Sequence, residues 1–407
     1  MTRNSMKDST SKMNEAAAVL QTVEENLDPM GSATSPRVAS IDMLKGAAII
    51  GVVVAHLVII QNRDDMVSSY SIGELFYSAL PMFIVLSGYF YNPEKSTLYY
   101  LRTRILPLFV TFVVFTVVLT VLMYGYLLLL GYDLSSTDLW GDIGRMLIGK
   151  GLFQDLHVYP GSEGILAVYE VTHPYYFLQI LIGGYLIFYP LARYVLDDWR
   201  KTLAAVVALT MVTGIYMEYV HIQLPFLVQL APITAAMILI GAFMGKHKVA
   251  DYLENGYREK RYWVYFGAVI ILAIVSIAVI PTKMSLIYSC FGEYGGWSAL
   301  PFLVTSMSCG MVLFFVVALA SHVRVVAAPL IAVGLECGYV FLLHVFVAKL
   351  LVAPFIQLNT DVWIPIESTL QGVVLVILTI SIIMGAIYLL RYLKSAVGKS
   401  RASPQPE

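Results

Sequence analysis

Charge is scarce in this chain. Only 13% of its 407 residues are Asp, Glu, Lys or Arg, against 58% that are hydrophobic, and the mean hydropathy is +0.76. A water-soluble domain carries about 25% charged residues, so an aqueous globular enzyme is excluded and lipid is the expected solvent. The charge also balances, with 26 basic and 27 acidic side chains giving a net of -1. That excludes a nucleic-acid partner, because phosphate backbones require a clear Lys and Arg surplus. Cysteine is rare too. Cys290, Cys309 and Cys337 are an odd number lacking CxxC or CxxH spacing, so neither a disulfide framework nor a metal site is expected, and all three read as inert core residues. A signal-peptide core is missing as well. In the polar first 36 residues the longest apolar stretch is Ala16 to Leu20, so residues 1–36 read as a retained, disordered cytoplasmic tail.

What the chain has in abundance is apolar runs. A helix needs about 20 such residues to cross the hydrocarbon core, and runs of that order occur at 41–61, 70–91, 104–131, 174–196, 202–221, 226–246, 262–281, 297–321, 328–354 and 367–393. Barrel strands would alternate polar and apolar positions, whereas these runs are continuous. The expected fold is therefore all-α, a polytopic bundle of about ten transmembrane helices over residues 37–393 with a short tail at 394–407. No fixed-period repeat and no second soluble domain interrupts it.

Cytoplasmic loops hold the excess of Lys and Arg. With both termini inside, the tails and inner loops carry 20 of the 26 basic residues, and the outer loops keep only Arg63, Arg145, Lys150 and Lys283. The expected orientation is thus both termini cytoplasmic. The longest outer segment, 132–173, holds Asp133, Asp138, Asp142, Asp155, Glu163 and Glu170, and a long ordered loop of this kind is a candidate cover for a site.

Ionisable groups inside apolar runs are expensive and are default functional candidates. Four stand out here: Lys45, His56, Glu336 and His344. At 1.5 Å per residue, His56 and His344 lie roughly 22 to 24 Å from the inner edge of their helices, so they would share a level if those helices are neighbours. Lys45 precedes His56 by eleven positions, about 16 Å and just over three turns, which places both on nearly one face. That geometry suits a donor whose anionic head stays at the cytoplasmic mouth while its reactive end reaches His56. Arg102 and Arg104 add two cations at the same inner level. Plainer readings stand beside these: a snorkelling lysine at Lys45, a packing histidine at His56, arginines that only obey the positive-inside rule, and a structural Glu336–His344 pair two turns apart. Ser87-Gly88 and the Gly241/Gly245 spacing read as close helix packing, since no Gly-x-Ser-x-Gly elbow surrounds the serine.

The segment Arg37-Val-Ala-Ser-Ile-Asp42-Met-Leu-Lys45-Gly46, continuing to His56, resembles the first helix of the acyltransferase 3 family of bacterial membrane proteins, whose signature is Arg or Lys, ten residues and His. Pro81-Met-Phe83-Ile-Val-Leu-Ser87-Gly88-Tyr89-Phe90, Arg102-Thr-Arg104-Ile-Leu-Pro107, Pro174-Tyr175-Tyr176-Phe177-Leu178 and Gly334 through His344 resemble further family motifs, in the family's order. Tyr176 stands where Trp is usual, and Glu336 where a small residue is commoner. The resemblance implies transfer of an acyl group, usually acetyl and sometimes succinyl, from cytoplasmic acyl-coenzyme A to a sugar hydroxyl of an envelope or exported polysaccharide or glycolipid, at the bacterial plasma membrane. The acyl-coenzyme A is a donor substrate, with no permanently bound cofactor, and other proteins of envelope glycan synthesis are candidate partners.

Acyl transfer needs a base for the attacking hydroxyl, and histidine suits that role near neutral pH. The expected roles follow. Lys45, Arg102 and Arg104 hold the donor phosphates, and His56 is base or transient acyl carrier. Asp42, three residues before Lys45, orients that lysine, while His344 binds the acceptor or shares proton transfer. Tyr176, Glu170, Glu163 and Glu336 are acceptor-side candidates, although for the two loop glutamates a solvated loop is the favoured reading. The competing classes are a transporter or flippase, which would move substrate without making an ester, and a non-catalytic assembly scaffold, in which His56 and Lys45 would be replaceable.

Overall fold

The structure, a computed structural model, describes residues 38–56, 78–129, 131, 139–148, 175–220, 222, 224–279, 299–356 and 369–401. Among these residues there is no strand. The helices are α1 (Ala39–Val54), α2 (Ala79–Tyr89), α3 (Thr97–Leu129), α4 (Leu139–Ile148), α5 (Tyr176–Val195), α6 (Trp199–Tyr219), α7 (Ala231–Lys246), α8 (Val249–Asn255), α9 (Lys260–Val279), α10 (Ala299–Ala320), α11 (Arg324–Leu335), α12 (Cys337–Ile356) and α13 (Thr369–Arg401). The all-α expectation is met.

Seven helices are long and apolar enough to cross a membrane, or eight if α11 and α12 count as one broken span. The expected ten is not reached among the described residues. α1 has 16 residues and α2 has 11, short of the roughly 20 a crossing needs, and residues 57–61 and 70–77 of those runs lie outside the described residues. At the other end, α13 continues to Arg401, past the expected boundary at Leu393.

Burial orders the bundle from centre to rim. In the span that includes α7, 72% of the apolar window is buried, against 17% in α9. α9 turns Val264, Ile271, Ile274 and Val279 outward, an apolar surface that only lipid solvates comfortably.

Lipid offers no hydrophobic force between helices, so the central crossings depend on close approach at small residues. A Cβ added at Gly241 would lie 1.7 Å from the Val85 carbonyl oxygen, and one at Gly245 would lie 1.9 Å from that of Tyr89. From the other side, a Cβ on Gly88 would meet the Ile238 oxygen at 2.1 Å. These contacts seat α2 on α7, as the small-residue reading implies. A second crossing joins α1 to α11, where a Cβ at Gly46 would sit 2.0 Å from the Leu330 oxygen and one at Gly334 would sit 1.8 Å from that of Asp42. Polar contacts add to these seams. Thr213 Oγ1 accepts the Ile233 N–H at 3.1 Å, and Ser276 and Ser308 hydroxyls meet at 3.2 Å across α9 and α10.

Two expected helices differ in shape. The run 328–354 is not one helix: α11 ends at Leu335, Glu336 leaves helical geometry with φ -105° and ψ 13°, and α12 departs at 80°. Gly334 and Gly338 flank the break and supply little helical preference, while Pro329 removes one N–H within α11. The run expected at 104–131 starts earlier, at Thr97, where the Ser96 hydroxyl accepts the Tyr99 N–H at 3.1 Å. It passes through a π-helical turn at Leu101–Ile105, a wide turn that recurs at functional sites.

At the basic end of the bundle Lys246 donates to Asp197 at 2.9 Å and to the Leu196 carbonyl at 2.9 Å. The hydrogen bond and charge of Lys246 hold the exposed Asp197 carboxyl below its ordinary range.

Candidate active site

His56 and His344 come from segments 288 positions apart in the chain, yet their rings meet with centroids 5.1 Å apart and planes at 68°. The depth comparison assumed a straight helix for His344. The observed route is a bent one: α11 crosses α1 at Gly46, the chain turns at Glu336, and α12 then runs along α1 to bring His344 level with His56.

Backbone geometry decides which nitrogen of each ring is available. His56 Nδ1 lies 2.8 Å from the Val52 carbonyl. His344 Nδ1 lies 2.7 Å from the Phe341 carbonyl and 3.2 Å from that of Val340. A carbonyl only accepts, so both Nδ1 atoms carry the proton, and in the neutral ring Nε2 holds the free lone pair. His344 is fully buried and its Nε2 has no hydrogen-bond partner. A buried polar atom left unbonded costs about 1–3 kcal/mol, so this nitrogen is open to a hydrogen-bond partner that the described side chains do not supply.

The start of α5 braces this pair. The Tyr175 hydroxyl donates to the Leu342 carbonyl at 2.6 Å. Phe177 packs on Phe341 with centroids 5.1 Å apart, and Phe341 lies 6.1 Å from His344. One turn further on, Gln179 Nε2 donates to the Met146 and Leu147 carbonyls at 3.1 and 3.2 Å, fastening α4 to the same wall. The acceptor-side candidate Tyr176 is buried at this helix start, but Tyr175 and Phe177 are the side chains seen to hold α12. Their places in the Pro174–Leu178 motif were visible, and the Tyr175/Gln179 spacing of four was the available signal for the facing stripe. Glu163 and Glu170 lie outside the described residues, as does most of segment 132–173.

Lys45 donates to Asp42 Oδ1 at 3.1 Å, with both side chains largely buried, so the two form an ion pair within one turn of α1. The pair lies at the α1–α11 crossing, where the Asp42 carbonyl abuts Gly334. The arginines are placed differently. Arg102 is exposed and Arg104 is half-buried on the π turn, within electrostatic reach of the phenols of Tyr100, Tyr185 and Tyr189. Tyr189 stacks on Tyr100 at 4.2 Å and on Tyr185 at 5.1 Å. The three cations expected at one level therefore sit in two environments, a buried ion pair on α1 and a tyrosine-lined turn on α3.

Glu336 departs furthest from expectation. It pairs neither with His344 nor with a free face of the site. Its carboxylate receives Arg391 of α13 in a two-pronged contact, Nη1 to Oε1 at 2.6 Å and Nη2 to Oε2 at 2.9 Å. Glu336 stands at the break where α12 turns by 80°, and there its carboxylate meets α13 and not His344. By sequence Arg391 is one of the basic residues at the inner edge. The signal for the pairing was Glu336 and Arg391 inside the last two apolar runs. Among the described residues no three of His, Cys, Asp and Glu converge on one point.

A family model described as an acyltransferase domain matches residues 38–389. No curated protein and no solved structure matches the chain.

Proposed function

The chain belongs to the acyltransferase 3 family, and from that premise we propose that it moves an acyl group, acetyl in the first instance and succinyl as the alternative donor, from cytoplasmic acyl-coenzyme A to a hydroxyl of an envelope or exported polysaccharide. The observation that carries this reading is the meeting of His56 and His344 at 5.1 Å with both Nδ1 atoms tied to carbonyls. Each neutral ring then keeps its Nε2 lone pair, and the two rings meet edge to face.

In this account the donor enters at the basic end, taken as cytoplasmic in a bacterial plasma membrane. Arg104 and Arg102 on the π turn meet its phosphates, and the phenols around Arg104 line the approach. Lys45, already neutralised by Asp42, contributes by shaping the base of α1 rather than as an open cation. The acceptor reaches the histidine pair from the opposite end, along the wall built by Tyr175, Tyr176 and Gln179.

The sugar hydroxyl attacks the thioester carbon, a C–O bond forms, the C–S bond breaks, and the coenzyme A thiolate leaves. The hydroxyl proton goes to an Nε2 and from there to the thiolate. His56 serves as that base, or as a transient carrier whose acyl-imidazole is resolved by the hydroxyl with His344 as base. A positioned base contributes about 10²–10⁴-fold, and holding hydroxyl and thioester together adds the larger share.

Membranes containing the protein, incubated with acyl-labelled acetyl-coenzyme A, should gain alkali-labile label in a glycan fraction. Label that moves across the membrane without appearing as a new ester would refute the reading. Acid quenching followed by peptide mapping separates the two roles of His56, because only the carrier route leaves label on the His56 peptide.

A further inference from the structure

The α11–α12 junction is a hinge by its own backbone. Glu336 is out of helical geometry. Its N–H reaches the Val333 carbonyl at 3.2 Å, and its carbonyl accepts the Val340 N–H, four residues on, at 3.1 Å. α11 is fixed on one side by Gly334 against the Asp42 carbonyl. The main chain alone leaves the angle of α12 open. His344 lies eight residues beyond Glu336, a lever of about 12 Å. On that lever a rotation of only about 5° moves the imidazole by roughly 1 Å.

One side-chain contact spans the hinge to a third helix. The Glu336 side chain is 5% exposed and that of Arg391 57%, and the two-pronged geometry resists rotation in a way a single contact does not. Burying a charge pair is a poor route to stability. It is a good route to a fixed angle, since both oxygens and both nitrogens must stay in register. α13 also packs along α12, so the pair ties the hinge to the helix that already flanks the His344 arm.

We propose that Glu336 and Arg391 are positioning residues, a clamp that sets the α11–α12 angle and so holds the His344 imidazole against His56. This rests on the reading of the two histidines as the reacting groups.

The test measures acetyl transfer from labelled acetyl-coenzyme A in native membranes, per folded molecule, for Glu336→Gln, Arg391→Gln, Arg391→Lys and the double Glu336→Gln/Arg391→Gln. A clamp lowers kcat about ten- to hundred-fold in each Gln variant, because a displacement of 1 Å costs on the order of 10²-fold, and leaves the acetyl-coenzyme A KM within about two-fold. The double variant should be no worse than the poorer single one, as expected for residues acting as a unit, and Arg391→Lys should fall between wild type and Arg391→Gln. If Arg391→Gln does not accumulate, the double variant, which leaves no unpaired charge, carries the comparison. A second arm needs no catalysis: with Cys290, Cys309 and Cys337 replaced, His56→Cys/His344→Cys is cross-linked by a short bis-methanethiosulfonate, and Glu336→Gln or Arg391→Gln should cut the yield several-fold.

Unchanged cross-linking overturns the clamp, as does an Arg391→Gln enzyme at wild-type kcat beside an impaired Glu336→Gln, which would return Glu336 to substrate binding. Loss of folded protein with normal kcat in what remains overturns it too. Should wild-type membranes transfer no label, the donor reading fails, and the cross-linking arm still decides the clamp.

Discussion

Replacing Gly46 by Ala inserts a methyl group at the one crossing through which α1 and α11 share a register. A Cβ there would lie 2.0 Å from the Leu330 carbonyl oxygen, while ordinary contact begins at 3.4 Å. The backbones must therefore separate by about 1.4 Å, and the obstructing atom is main chain that cannot rotate aside. Overpacking of this kind costs roughly 1–3 kcal/mol of stability. The larger effect is on activity, because α11 leads through the hinge to His344 and a shift on the order of 1 Å between reacting groups costs about 10²-fold. The assay is acetyl transfer per folded molecule, with the folded fraction read from the monodisperse peak in mild detergent. Gly125→Ala and Gly267→Ala are the controls: each position faces open space within 4 Å, so both should behave as wild type or gain slightly from the better helix former. A Gly46→Ala protein that folds and turns over within two-fold of wild type would refute the claim that this crossing sets the histidine geometry.

Asp42→Asn should leave the buried Lys45 ammonium without its counter-charge, lowering stability by about 3–5 kcal/mol, read as loss of the monodisperse detergent peak; adding Lys45→Met should recover much of it. Arg104→Ala should raise the acetyl-coenzyme A KM with kcat nearly unchanged, as removal of a binding contact does, and steady-state kinetics with varied donor report that split. Tyr175→Phe removes the donor to the Leu342 carbonyl, a loss of about 1 kcal/mol, and should reduce kcat several-fold more than Tyr176→Phe does.

How much could be foreseen follows from what kind of signal each feature leaves. His56, His344, Lys45 and Glu336 were legible as outliers, since an ionisable side chain in an apolar run is rare by physical necessity. The Asp42–Lys45 pair was legible from its spacing of three, because one helical turn brings the two groups together whatever the rest of the fold does. The hinge at Glu336 was not, for hydropathy runs unbroken through residues 328–354 and is indifferent to direction. Only Gly334, Gly338 and Pro329 hinted at a break, and isolated helix breakers are tolerated within a membrane. Arg391 was hidden in the charge tally, which counts a residue at the inner edge in the same way whether it meets solvent or a buried carboxylate. Grouping Lys45 with Arg102 and Arg104 followed from depth alone, and depth does not tell which helices are neighbours.

The central claim is that two imidazoles from opposite ends of the chain form one reacting centre. Acetyl transfer from labelled acetyl-coenzyme A into membrane glycan, measured at matched folded protein for His56→Ala and His344→Ala, tests it most directly. The account predicts that each substitution alone lowers transfer by at least about 10²-fold, the lower bound for losing a positioned base. Wild-type transfer in either variant would contradict it.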